Sequence, residues 1–270
     1  MHRLLFVSLF ILIITGCRKD NPGQPLDEYR LSAYTKDHYR YTFEYDDRDK
    51  PVKYGTYYDD QLIYDTQLFY AGGRLDSLIS VMPSGPMQYQ TFRYRDDTLI
   101  VSTYRYAFDE TVRMKYLIND NRIVKIMHPP CGEGDTAYLC FYRVLHWDNS
   151  NLAYKHTYSG TGWVYPDYKL AGGTELTNTV WSTYDNHANP LKSIYSLIYP
   201  GEYESSENNL LRMVITDMAG DTLIRIFNHT YNDLGLPVAT TIIREKNDTP
   251  LNDPVSLEPS YLTYTYEKYR

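Results

Sequence analysis

A short phrase repeats along the chain, and it constrains the fold more than any other feature. An alternating stretch ends in an aromatic residue, a small polar cluster follows, and a proline with an aliphatic residue opens the next alternating stretch. The three long copies cover residues 45–52, 184–191 and 231–238. In each copy proline stands six residues after tyrosine, and an aliphatic residue stands seven after it. Period-2 aromatics bounded by turn residues predict a strand, a tight turn and a second strand.

A shorter form of the phrase places the aliphatic residue five positions after the anchor. It occurs at residues 70–75, 94–99, 118–123 and 147–152, with Ile118 as the one aliphatic anchor. Gly, Asn and Asp fill these turns because a tight hairpin needs residues that tolerate positive φ. The anchors therefore predict one hairpin per repeat. Longer insertions are expected at residues 128–135, 159–174, 199–209 and 246–260.

The composition fits such hairpins. The chain contains 30 tyrosines against 8 phenylalanines and 3 tryptophans. Tyrosine suits strands with one wet face, because its ring packs while its hydroxyl meets water. No window of helical length shows persistent helical periodicity. A hairpin cannot bury its face alone, so stacked copies share one sheet, and long antiparallel sheets twist. The sequence thus predicts an all-β antiparallel meander over residues 31–270, forming a large curved sheet that is barrel-like or sandwich-like.

The phrase resembles the YD repeat of Rhs-type and teneurin-like proteins, Tyr-Asp-x-x-Gly-x-Leu followed by a strand. It is also similar to repeats of uncharacterised outer-membrane lipoproteins of the Bacteroidota. The resemblance covers most of residues 39–266, although the copies are degenerate. Gly235 stands in the signature glycine position, where the other long copies have Asp49 and Ala188. The resemblance implies a meander in which each copy adds two antiparallel strands, and it implies no enzymatic activity.

The N-terminus has the pattern of an export signal. A basic start is followed by an apolar run over residues 4–15 and then by Gly16 and Cys17. The run is shorter than the roughly 20 residues of a spanning helix. Residues 14–17 resemble the lipobox of bacterial lipoproteins, which implies that residues 1–16 are removed and that Cys17 carries a lipid. The alternative is an ordinary secretory signal that happens to contain a cysteine. Residues 17–30 then form a flexible tether.

The charge of the mature chain bears on its partners. Removing residues 1–16 takes away Arg3, which leaves 26 basic and 34 acidic residues and a formal charge of −8. This acidic balance argues against nucleic acid or anionic lipid as a partner. Acyl chains on Cys17 would attach the protein to the membrane without a basic patch. Lys19 and Asp20 partly resemble a surface-export signal, so we expect an outer-membrane lipid anchor at either the cell surface or the periplasmic leaflet.

Two further cysteines, Cys131 and Cys140, are separated by eight residues that include a turn-prone Gly-Glu-Gly-Asp. Outside the cytoplasm such a pair tends to oxidise, so a disulfide is one interpretation and two buried thiols are the other. A zinc site is not expected, because further ligands are missing at a familiar spacing.

The insertion at residues 159–174 holds the candidate ligand-binding residues Trp163, Tyr165 and Tyr168. Glycines with several aromatics suit a platform on which a sugar ring or a peptide stacks, and loops on a rigid scaffold often carry function. Alternatively, these rings close one end of the sheet. Tyr203, in the next insertion, is expected at the surface in the same way as Tyr165.

Known catalytic patterns are missing from the sequence, which has no nucleophile elbow, no phosphate-binding glycine loop and no zinc-protease motif. We expect no catalytic residues, no cofactor and no metal. The leading hypothesis is therefore a non-enzymatic, lipid-anchored envelope protein that binds or assembles with an unidentified protein or glycan. The alternatives are a surface glycan-binding module that uses loop aromatics, an enzyme, and a lipid carrier inside a curved sheet.

Overall fold

The computed structural model describes residues 28–128, 139–161, 163–164, 169–170, 175–198, 201–246 and 258–269. These residues form 16 antiparallel strands closed into a barrel, a separate two-stranded ribbon (β12 and β13) and one short α helix. Short 3-10 helices lie at Tyr106–Phe108 and Tyr203–Ser205. The elements in chain order are β1 (Tyr29–Lys36), β2 (Tyr39–Tyr45), β3 (Pro51–Tyr58), β4 (Gln61–Ala71), β5 (Arg74–Met82), β6 (Gly85–Arg95), β7 (Thr98–Arg105), β8 (Glu110–Asn119), β9 (Arg122–His128), β10 (Leu139–Asp148), β11 (Asn151–Thr161), β12 (Trp163–Val164), β13 (Lys169–Leu170), β14 (Glu175–Ala188), α1 (Lys192–Ile198), β15 (Asn208–Asp217), β16 (Thr222–Tyr231), β17 (Pro237–Lys246) and β18 (Ser260–Lys268).

The predicted antiparallel meander is confirmed, and the sheet curves until its first and last strands pair and close the barrel. Each barrel strand pairs antiparallel with its neighbours, and β1 pairs with β18 from Tyr29 opposite Lys268 to Lys36 opposite Leu262. Closure removes the free sheet edges that an open meander would leave for aggregation. Among the described residues, no helix is long and apolar enough to cross a membrane.

The turns of the repeated phrase lie together at one end of the barrel, which we call the hairpin end. Asp49, Asp96, Asn149 and Gly235 have positive φ there, as the turn chemistry predicts. The barrel also begins and finishes at this end. Arg30 forms an ion pair with Asp49 in the β2–β3 turn, at 3.1 Å, and β18 runs back to pair with the start of β1.

Over β2 to β4 the barrel wall is apolar inside and charged outside. Residues opposite each other on neighbouring strands share a face, and Phe43 and Tyr54 are such a pair, both buried in the core. On the other face, the Lys53 ammonium lies 3.2 Å from Glu44 and 3.1 Å from Asp65. The alternation of tyrosine with polar residues in β2 therefore places the aromatic rings in the interior.

The described part of the insertion between β14 and β15 folds into the barrel as a plug, which we define as residues 189–198 and 201–207. Leu191 and Ile194 are buried in the main core, and the helix α1 begins one residue after Leu191. The hydroxyls of Tyr195 and Tyr34 lie 2.9 Å apart, which joins the helix to the barrel wall. Asn189 fixes the plug's entry, because its side-chain amide donates to the carbonyl of Ser206 at 3.1 Å.

The plug corrects one expectation. Tyr203 is not a surface residue, because the plug carries its ring inside the barrel, 6.1 Å from the ring of buried Phe227. The insertion holds Leu191, Ile194 and Leu197, spaced three residues apart, and this spacing gives the short helix an apolar face. Burying that face in the lumen outweighs leaving the segment as an exposed loop.

Candidate functional site

The aromatic anchors of the repeat join neighbouring hairpins to each other. Four of them, and Tyr266 at the end of β18, donate a side-chain hydrogen bond to a backbone carbonyl near the start of the preceding barrel strand, whereas Tyr231 donates to the Asp185 carboxylate. Burial raises the pKa of Tyr70 and of Tyr184 to about 12, so both hydroxyls remain protonated donors. The pairs are Tyr45 to Leu31 at 2.7 Å, Tyr70 to Pro51 at 2.6 Å, Trp147 to Ile123 at 2.7 Å, Tyr184 to Leu152 at 2.8 Å and, from β18, Tyr266 to Pro237 at 2.8 Å.

One copy of the repeat has no aromatic ring at its anchor position, and a cavity lies beside it. Ile118 stands in the anchor position of the β8–β9 hairpin, and its aliphatic side chain has neither a ring nor a hydrogen to donate. The adjoining cavity has a volume of about 470 Å³ and lies between the plug and strands β6 to β10. Pockets of 300–1,000 Å³ are the size that small-molecule ligands occupy.

The cavity is apolar inside and polar at its mouth. Leu99, Ile118 and Ile123 form its inner wall together with Trp147 and, from the plug, Leu197. Leu99 and Ile123 are buried. The Trp147 indole is held in place by its hydrogen bond to the Ile123 carbonyl. This wall is therefore preformed.

The mouth of the cavity lies at the hairpin end. It is formed by Asp120, Asn121 and Arg122 of the β8–β9 turn and by Ser196 of α1. Asp120, Asn121 and Ser196 are exposed, and Arg122 is half-buried without an ion-pair partner among the described residues. A second cation that lines the cavity, Lys192, is already paired with Glu207.

A second, smaller cavity of about 70 Å³ lies on the other side of the plug, against β16 to β18. Glu204 and Tyr203 enter it from the plug, and Lys36 and His229 enter it from the wall. Burial raises the pKa of Glu204 to about 7, because its charged form would lose its hydration. The space is too small for a ligand of ordinary size, so this cluster has the character of a buried polar contact between plug and wall.

Glu202, two residues before Glu204 in the plug, forms ion pairs with two cations of the inner wall, Arg143 at 2.9 Å and Lys155 at 2.7 Å. Both cations belong to the inward face of the β10–β11 hairpin, where the sequence pattern predicted only scaffold. The bridge ties the plug to this hairpin.

An aromatic row lies on the outer wall across β10, β11 and β14. The rings of His146 and Tyr154 stack at 4.1 Å, and Trp181 follows at 4.7 Å from Tyr154. Tyr142 and Tyr158 stack at 4.8 Å further along the same two strands. Trp181 is 51% exposed, which is unusual for an indole. We call these five residues the outer aromatic row.

Most of the candidate residues from the sequence lie outside what the structure describes. Cys17, Cys131, Tyr165 and Tyr168 are outside the described residues, and for Trp163 in β12 and Cys140 in β10 only the backbone is described. The lipid anchor, the disulfide and the loop platform therefore remain predictions. Over the described ranges, no group of three or more His, Cys, Asp or Glu side chains is placed to hold a metal ion.

The cavity and the outer aromatic row were both missed from sequence. The copy at Ile118 is degenerate, because its anchor is aliphatic. A missing ring at an anchor position is the sequence signal that predicts a cavity there. Trp181 begins a stretch whose repeat pattern predicts only a scaffold strand. The alternation of side chains along the strand is the signal that could have found Trp181. The Tyr184 ring faces inward, and Trp181 stands three residues before it, an odd number, so the Trp181 ring faces outward.

Comparisons with known proteins give structural neighbours only. No protein-family model matches the chain, and no curated protein matches it. A porin-like protein from Bacteroides uniformis ATCC 8492 superposes with a TM-score of 0.51 at 12% sequence identity, covering 88% of this chain and 96% of that one. A porin-like protein from Bacteroides vulgatus ATCC 8482 covers 89% of this chain and 99% of that one, with 12% identity and a TM-score of 0.43. At this identity, the likeness to the first shows that the two chains share a fold.

Proposed function

We propose that this protein is a lipid-anchored, non-enzymatic binding protein of the cell envelope, and that its barrel stands in water beside the membrane instead of spanning it. The observation that carries the proposal is the polarity of the wall. The core lies inside the barrel, and charged side chains lie among the outward-facing residues in the middle of the strands. A membrane-spanning barrel has the reverse pattern, with an apolar band outside and a polar interior.

The outer charges lie well within the strands. Asp65 is the fifth residue of the 11-residue strand β4 and is bridged to Lys53. Lys115 lies in the middle of β8, with exposed Arg113 two residues before it on the same face. A basic residue facing lipid at the bilayer midplane costs about 2–4 kcal/mol. A wall with this many charges is favoured in water.

The plug supports a binding role over a channel. Leu191 and Ile194 fill the lumen where a porin would have water, and Glu202 ties the plug to β10 and β11. The barrel then works as a rigid support, and what remains for a ligand is the cavity beside the plug and the outer surface.

The position of the tether determines which end of the barrel faces the membrane. Glu28 lies at the hairpin end, because its carbonyl accepts a hydrogen bond from the Tyr269 amide at 3.1 Å beside the start of β1. Residues 17–27 reach at most about 40 Å when fully extended. A lipid on Cys17 would therefore hold the hairpin end toward the membrane. The porin-like neighbour from Bacteroides uniformis supports an outer-membrane setting.

Membrane fractionation tests the anchor. Cys17→Ala should move the protein from the membrane fraction to the soluble fraction, while Cys131→Ala, which keeps the lipidation site, should leave it in the membrane. Retention of Cys17→Ala in membranes after washing with alkaline carbonate would contradict the proposal, because without the lipid only a barrel embedded in the bilayer would resist that wash. The purified protein should also give no conductance steps in a planar bilayer.

A second candidate function, glycan binding, is favoured by the outer aromatic row. One exposed indole, Trp181, followed by half-buried rings on a rigid wall, suits stacking against a sugar ring. Trp181→Ala should abolish retardation of the protein in polysaccharide affinity gels, if the row is the binding surface. Tyr261→Ala is the matched control, because Tyr261 is a 59% exposed ring on the outer face of β18, away from the row. Equal loss from both variants, or no retardation of the parent protein, would eliminate this candidate.

A further inference from the structure

We propose that the cavity beside Ile118 binds an amphipathic anion, with an apolar chain against the inner wall and a carboxylate at Arg122. This inference rests on the proposed function in one respect, since it names the ligand class of a binding protein held at a membrane.

The departure from the repeat creates the space. In the copy before Ile118 the Tyr94 ring fills the corresponding position, and in the copy after it the Trp147 ring does so, and both rings line the cavity. An anchor ring at position 118 would occupy the room between them, and its polar hydrogen would point to the carbonyl of Leu99, the counterpart of Ile123 and Leu152. Ile118 leaves that room empty at the hairpin end.

The inner wall suits an alkyl chain. Leu99 is 5% exposed and Ile123 is 8% exposed, and both belong to the main core cluster. An apolar chain that enters this wall gains free energy in proportion to the apolar area that it removes from water. Because Trp147 is already fixed by its hydrogen bond, the wall pays little ordering entropy when a ligand enters.

The mouth suits an anionic head. Arg122 is half-buried there, and a guanidinium forms paired, charge-assisted hydrogen bonds with a carboxylate. Lys192 is less available, because Glu207 holds it. Asp120 is the acidic side chain of the lining, and it is exposed at the outer edge. The charged groups are at the mouth and the aliphatic groups are inside, and the hydroxyl of Ser205, a buried residue of the lining, already donates to the Glu202 carbonyl, so an amphipath would enter with its chain first.

The position of the mouth favours a ligand that comes from the membrane interface. The mouth opens at the hairpin end, where the barrel begins at Glu28 and where the tether would hold the protein to the lipid surface. A single-chain carboxylate partitions into the membrane interface, so it would meet the cavity at short range. A polar metabolite in the surrounding water has no such bias.

Isothermal titration with three twelve-carbon amphipaths tests the head-group chemistry. The chain from Cys17 onward, without lipid, contains the whole described barrel and is titrated below micelle-forming concentrations. Dodecanoate should bind at one site, and dodecyl maltoside and dodecylammonium should bind at least about tenfold more weakly. Arg122→Gln should raise the Kd for dodecanoate about tenfold. Arg113→Gln, which removes an exposed charge from the outer face of β8, should leave it unchanged. Equal affinity for the three amphipaths, or no effect of Arg122→Gln, would overturn the anion assignment.

Ile118→Tyr tests the site itself. The tyrosine should restore the repeat's ring and hydrogen bond, so dodecanoate binding should be lost while the Tm stays the same or rises. Ser196→Trp blocks the exposed mouth without touching the wall and should also abolish binding. Unchanged binding in both variants would show that the ligand sits elsewhere and would overturn the inference. Failure of all three amphipaths to bind would also overturn it, and it would leave the lipid anchor and the water-exposed wall standing, since fractionation tests those separately.

Discussion

The Nε1 hydrogen of the Trp147 indole is donated to the carbonyl oxygen of Ile123, 2.7 Å away. Tyr45 makes the same connection through its hydroxyl to Leu31, also at 2.7 Å. An indole and a phenol thus perform one task at equivalent positions of the repeat. The anchor needs a large ring that packs inside the barrel and a polar hydrogen at its tip.

The two parts of the anchor can be separated at Tyr45. Tyr45→Phe keeps the ring and leaves the Leu31 carbonyl without this donor, so the free energy of unfolding should fall by about 1–2 kcal/mol. Tyr45→Ala also removes the ring and should cost about 3–5 kcal/mol. Urea denaturation measures both. Tyr261→Ala, at an exposed position, should change the stability by less than about 1 kcal/mol, and a similar cost at both sites would show that the anchors do not hold the hairpins together.

The repeat predicted the hairpins but not the closure or the plug. Anchor spacing and turn residues such as Asp49 and Gly235 are local signals, and the structure has strands and turns where they predict them. Closure depends on the number of strands and their combined stagger, which local signals do not contain. The helix α1 has seven residues, which is shorter than a window that detects helical periodicity, and Ile194 becomes apolar lining only because a barrel surrounds it.

The candidate sites were harder to predict for a related reason. Trp163 and its neighbours stood out because an insertion interrupts the repeat there. Ile118 and Trp181 lie within the repeat, and their meaning depends on which face each strand presents. That information comes from the register of the whole barrel.

Glu204 should make stability depend on pH. Burial raises its folded-state pKa from 4.5 to about 7, so the folded protein holds a proton that the unfolded chain releases between these values. The contribution of this buried acid is therefore fully present below pH 4.5 and is lost as the pH rises through 7. The total change is of order 3 kcal/mol. Unfolding curves from pH 4 to 8 should show this loss, and Glu204→Gln should remove it. A Glu204→Gln protein with the same pH profile as the parent would contradict the assignment.

Glu202 should control how firmly the plug is held. Glu202→Gln leaves Arg143 and Lys155 facing each other inside the wall without their shared carboxylate. Removing one partner of a part-buried charge pair costs about 1–3 kcal/mol. Hydrogen exchange in α1 should accelerate, while exchange in β2 and β3 should stay as it is. Glu267→Gln, which breaks the more exposed pair with Arg30, should leave α1 exchange unchanged.

Gly201 and Gly220 form a matched pair, since both have a φ of 86°. A Cβ at Gly201 would lie 2.8 Å from Leu145 Cδ2 and 3.0 Å from Ile126 Cδ1, whereas a Cβ at Gly220 meets nothing within 4 Å. Alanine at Gly220 should cost about 1 kcal/mol from backbone conformation alone. Alanine at Gly201 should cost about 1–3 kcal/mol more, because the plug must move against the wall. Equal costs for the two variants would show that the plug is not tightly packed.

The behaviour of the barrel without its N-terminal segment tests the central claim most directly. Residues 28–270, refolded and held in buffer without detergent, should remain monodisperse in sedimentation and should show the far-ultraviolet circular dichroism of a β protein. That result would confirm that the folded barrel is stable with its outer wall in water. The membrane would then be contacted only through the lipid on the tether. Aggregation in buffer, with folding only in detergent or lipid, would contradict the account and would make the barrel itself a membrane-embedded structure.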